Sequence, residues 1–77
     1  MSEFKNLLKE YFSDPEITLA ARELGPVKEV GHCFQSDDSW QVICTYPGDD
    51  RVEHRVNCGE LMGWMWAKMK PMINSAS

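Results

Sequence analysis

The sequence predicts an α+β domain of order ααβββα: a three-stranded antiparallel meander with an N-terminal helix pair and a C-terminal helix packed on one face. Two observations carry this. The apolar period is 3.6 residues up to Gly25-Pro26, becomes 2 after it, and returns to 3.6 after Asn57. The period-2 region is cut twice by strong turn compositions, Ser36-Asp37-Asp38-Ser39 and Pro47-Gly48-Asp49-Asp50.

From Glu3 to Phe12, the residues Phe4, Leu7, Leu8, Tyr11 and Phe12 follow the i, i+3, i+4, i+7, i+8 spacing of an amphipathic helix, with Ser2 as its N-cap. A second helix is expected from the Ser13-Asp14-Pro15-Glu16 corner. Asp14 caps it, Pro15 takes the first helical position, and Ile17, Ala20, Ala21 and Leu24 form its stripe. Gly25-Pro26 stops it.

Alternation then places Val30, His32 and Phe34 on one face of a first strand. Trp40, Val42, Cys44 and Tyr46 share a face of the second, and Val52, His54 and Val56 a face of the third. Arg51, Glu53 and Arg55 face away. Such alternation describes a sheet with one buried and one wet side, and the short connections favour antiparallel neighbours. Asn57-Cys58-Gly59-Glu60 opens the last helix, Asn57 and Glu60 suiting a capping box, and the helix is expected to run through Leu61 to about Lys70, where Pro71 ends or kinks it. The stretch 73–77 reads as a frayed tail of a single compact domain, 1–77. The expected core is Phe4, Leu7, Leu8, Ile17, Leu24, Val30, Phe34, Val42, Val52, Val56, Leu61, Met65 and Met69.

Composition narrows the function classes. The chain has 77 residues, 43% of them hydrophobic, which fits one modest core and neither two domains nor a disordered chain. No apolar run reaches the ~20 residues of a membrane span. The formal net charge of −4 disfavours nucleic acid, whose phosphates call for a basic patch. The first ten residues lack the apolar region of a signal peptide, and the three cysteines, Cys33, Cys44 and Cys58, are an odd number. Reduced thiols and a cytoplasmic location are the expectation.

The last helix carries the leading functional signal. Stepping ~100° per residue from Leu61 places Leu61, Met72, Met65, Met69, Met62 and Trp66 in one arc, with Trp64 on the opposite rim beside Lys68. That is roughly half the circumference, whereas a helix covering one sheet needs a stripe of ~100°. Either the helix is wedged into a wide core, or one rim with a tryptophan and neighbouring methionines docks a partner or a second copy. The sequence therefore reads as a small non-enzymatic interaction module, an inhibitor or adaptor comparable in size and class with inhibitors that phages encode. The candidate docking residues are Trp64, Trp66, Met62 and Met69, joined by the acidic turns Asp37, Asp38, Asp49 and Asp50. The turns also have a local explanation, because Asp bonds its own backbone there.

The alternatives come from other classes. His32 opposite Cys44, and Cys44 opposite His54, would form a row that, with Cys58, supplies a tetrahedral zinc set, although the spacings lack the close pairs usual for zinc. Cys58 at a helix N-terminus is a conceivable nucleophile without a base and its orienting partner. Arg51 and Arg55 on the outward face define a weak nucleic-acid reading. No phosphate loop, HExxH or DxDxDG pattern occurs, and no cofactor is expected.

Overall fold

In the computed structural model, residues 3–76 are described, with side chains over 3–69. Helix α1 spans Glu3–Phe12 and α2 spans Leu19–Leu24. Strands β1 (Glu29–Ser36), β2 (Ser39–Thr45) and β3 (Arg51–Asn57) follow, then α3 (Cys58–Ala76). The strands form one antiparallel sheet in the order β1-β2-β3, the expected meander. The N-cap proposed for Ser2 lies outside the described residues.

The corner after α1 differs from its expected form. Pro15 lies in a turn, and α2 starts four residues later with Thr18 as N-cap, its hydroxyl accepting the Ala21 N–H at 3.0 Å. Asp14 is spent locally. Its side chain accepts the Glu16 N–H at 2.9 Å, and its carbonyl accepts from Ile17 and Thr18. The Asp-Pro pair thus makes a turn of its own, and the threonine downstream is left to open the helix.

Gly25 closes α2 as expected, donating its N–H to the Ala21 carbonyl at 3.0 Å. Its φ of 95° and ψ of −169° lie in a region that essentially only glycine visits. A Cβ here would meet nothing nearer than Pro47 Cγ at 3.8 Å, an ordinary contact. The backbone conformation alone should therefore set the cost of Gly25→Ala, about 1–3 kcal/mol. In thermal melts that is a drop of ~4–8 °C per kcal/mol for a domain of this size. An unchanged melting temperature would contradict the assigned conformation.

The sheet departs from strict alternation at one place. Val30 pairs with Cys44 and Cys33 with Val42, so Gly31 and His32 together oppose Ile43. This β-bulge adds a residue to β1 and reverses the faces beyond it. Val30 and Cys33 face the helices, while His32 and Phe34 turn to the outer face, their rings 5.7 Å apart. Phe34, expected in the core, is 42% exposed.

The core forms where the helices meet the inner face: Leu8, Tyr11 and Phe12 from α1, Val30, Val42, Cys44 and Val56 from the sheet, and Leu61 and Met65 from α3, with Val27 and Tyr46. Phe4, Leu7, Ile17, Leu24 and Val52 are partly buried against it, as are Trp40 and Trp64. Phe4 lies 5.1 Å from the Trp40 ring. Of the expected core, Met69 also falls outside, at 44% exposure. Tyr11, Phe12, Val27, Cys44 and Tyr46 join it.

Helix α3 is capped by Asn57, whose side-chain oxygen accepts the Glu60 N–H at 3.2 Å, while the Cys58 N–H goes to the Asp38 carbonyl at 2.7 Å. The helix does not stop near Lys70; it continues through Pro71 to Ala76, into the stretch expected as a tail. A proline inside a helix removes one backbone bond and either kinks the axis or ends the element, and here the element goes on.

Candidate functional site

The arc of apolar residues on α3 divides at Met65. Leu61 is fully buried and Met65 nearly so, which fixes the side of the helix that meets the sheet. Trp64 belongs to that side. Its ring meets Tyr11 edge-on at 5.2 Å and 84°, and Lys68 Nζ lies 5.6 Å from the ring centre. Lys68 also pairs with Glu10 of α1 at 3.1 Å. Trp64 therefore brackets α3 against α1.

The other rim has no such cover. Met62, Trp66 and Met69 are 49%, 60% and 44% exposed. Their i, i+4, i+7 spacing puts them on one stripe about 60° wide. They are three of the five large hydrophobics exposed among the described residues, the others being Leu19 and Phe34. Met72, assigned to the same arc, lies outside the described side chains.

The acidic turns stay apart. Asp37 and Asp38 link β1 to β2 beside the start of α3, and Asp49 and Asp50 follow β2 at its other end. Asp37 and Asp49 adopt left-handed backbone, with φ of 54° and 66°, a conformation Asp tolerates better than most residues. Asp49 also pairs with Lys28 at 3.1 Å across an exposed surface. These geometries account for the turns without a partner.

The zinc row does not assemble. The bulge sends His32 to the outer face, Cys44 lies between Val30 and Val52, and His54 lies opposite Val42. No group of three metal-ligating side chains occurs among the described residues. Burial, with Cys33 nearby, pushes the Cys44 thiol up to about 11, so it is neither thiolate nor nucleophile at neutral pH. All three cysteines are free thiols.

On the outer face, the row Phe34–Gln41–Arg55 runs across the sheet, and Arg51 and Glu53 share that side by alternation. Phe34 and His32 were missed there because a bulge leaves no mark in the hydrophobic pattern beyond a glycine inside a strand.

Sequence reasoning also missed a polar contact on the inner face. Tyr46, fully buried, donates its hydroxyl to the Phe12 carbonyl at 3.2 Å and lies 2.8 Å from His54 Nε2. The His54 ring stacks on Phe12 at 4.4 Å and 13°. Beside it is a cleft of about 280 Å³ whose walls include Thr18, Ile17, Arg55 and Glu60.

No helix among the described residues is long and apolar enough to cross a membrane. The chain matches no known protein family, and neither curated proteins nor solved structures give a match.

Proposed function

We propose that this chain is a small, non-enzymatic protein-interaction module whose docking element is the Met62–Trp66–Met69 stripe of α3. The carrying observation is the 60% exposure of Trp66 between two exposed methionines, on the side of the helix turned away from its own sheet. Leaving such half-exposed side chains in water forgoes roughly half of the ~1.5–3 kcal/mol that full burial of each supplies. Tryptophan is enriched among binding hot spots, and methionine adapts to irregular surfaces. Three side chains cover only part of the ~800 Å² that each partner contributes to a stable interface, so they form its centre.

The occupant that fits is an apolar groove on another protein, taking α3 as helix-in-groove complexes do. An inhibitor or adaptor role follows from size: 77 residues offer one surface to present and little room for a substrate cleft. A cytoplasmic location, with reduced thiols, belongs to the same reading.

A photo-reactive amino acid placed at Trp66, with a control at Lys9 on α1, tests this in the source cell. Adducts with a defined protein from position 66 and none from position 9 support the reading. Cross-links to a second copy, together with concentration-dependent sedimentation of the pure protein, would replace the groove by self-association. Equal adduct patterns from both positions would overturn a docking role for the stripe.

A further inference from the structure

We propose that the His54–Tyr46–Phe12 contact is a pH-sensitive latch, in which a proton added to His54 loosens the sheet's hold on the end of α1 and the corner behind it. This goes beyond the docking reading and does not depend on it. The contact joins three elements. Phe12 is the last residue of α1, Tyr46 follows β2, and His54 is central in β3. The Phe12 carbonyl has no partner within its helix and takes the Tyr46 hydroxyl at 3.2 Å and the Thr18 hydroxyl at 3.4 Å. Thr18 in turn caps α2. One chain of bonds thus runs from the sheet to both N-terminal helices.

The Tyr46 hydroxyl has a single proton and two neighbours for it, the Phe12 carbonyl at 3.2 Å and His54 Nε2 at 2.8 Å. The neutral ring satisfies that contact as donor or as acceptor, according to its tautomer. The protonated ring is donor only and carries a positive charge in a half-buried position stacked flat on Phe12.

The surroundings do little to welcome that charge. Tyr46 comes from just after β2, Tyr11 from α1, Thr18 from the corner, Arg55 from β3 itself and Glu60 from α3. Cys33 of β1 lies two strands away in the same register row. Among the described residues no carboxylate is bonded to the ring. The Phe12 face and the C-terminal carbonyls of α1 attract a cation, but desolvation outweighs them and holds the His54 pKa below its ordinary value.

The sign follows from proton linkage. The denatured chain protonates His54 near the ordinary value of about 6.5, before the folded chain does. Stability contributed by the neutral ring is complete above that value and is lost as pH falls through it toward the folded-state pKa. Each unit of difference costs about a tenfold loss in the folded-to-open ratio once both states are protonated.

The test is an NMR titration of the His54 ring in the full chain, beside the same chain denatured in urea, with amide exchange followed between about pH 7.5 and pH 5.5. His54 should titrate at lower pH in the folded chain. After correction for the intrinsic pH dependence of exchange, the Ala21 and Val27 amides, held by the Thr18 and Ser13 hydroxyls, should lose protection on acidification ahead of the Val42 amide. His54→Gln offers Tyr46 an amide donor and an acceptor and cannot be charged, so its corner amides should lose the pH response. Folded-state titration at or above the denatured value overturns the latch, as does uniform loss of protection across corner and sheet. If His54→Gln fails to fold, these two wild-type measurements decide alone.

Discussion

Leu61→Ala lowers stability by about 2–5 kcal/mol, the usual range for emptying a fully buried leucine site. Alanine is the better helix former, so the helix itself gains slightly and the loss is one of packing. Leu61 belongs to the α3 contribution to a core that also holds Leu8, Val42 and Val56. At roughly 0.05–0.15 kcal/mol per residue, a chain of this length has only about 4–12 kcal/mol to lose. Urea or thermal unfolding should thus show a variant that melts at least ~8 °C lower or does not fold at 37 °C. Met62→Ala, one position along the same helix, should stay within about ±0.5 kcal/mol of wild type. A Leu61→Ala chain of native stability would mean that α3 is seated with another face inward.

Trp66→Ala is the converse. Its ring is mostly in water, so the free chain should keep its stability within about ±0.5 kcal/mol and its α-helical signal unchanged. Affinity for the cross-linked partner should fall by about 2–4 kcal/mol, a loss of ~30-fold or more. Titration calorimetry against that partner, or sedimentation if the partner is a second copy, reads the change. Trp64→Ala should behave oppositely, weakening the fold through the lost Tyr11 contact, which is worth about 0.5–1.5 kcal/mol beyond the buried area. If Trp66→Ala destabilises the isolated chain as much as Trp64→Ala does, both tryptophans serve the core and the docking role falls.

These two residues show how far the pattern of the chain reaches. Periodicity placed both on α3 and separated them onto different rims, and the structure keeps that separation. Which rim meets α1 was not legible, because it depends on how α3 is rotated on the sheet. That rotation is set by what Tyr11, Glu10 and Val56 offer from elements distant in sequence. The three strands, their turns and the Gly25 stop were all legible, since each depends on local backbone preference and on alternation over a few residues. The start of α2 was not, because Asp14, Pro15 and Thr18 all suit a helix N-terminus and the Asp14 turn decided among them.

The candidate metal row failed in both pairings: β3 sets His54 opposite Val42 and not Cys44, and β1 carries a bulge. With no bulge, His32 would share the inner face with Cys44; the extra residue at Gly31-His32 sends it outward and puts Cys33 in its place. By itself, the order of amino acids determined the α+β class, the element order and the meander, because turns and apolar periods act over neighbouring positions. Tertiary structure alone decided the strand register, the rim of α3 left in water and the Tyr46–His54 contact. Each of those joins residues whose positions are set by packing between separate elements, where no local preference operates.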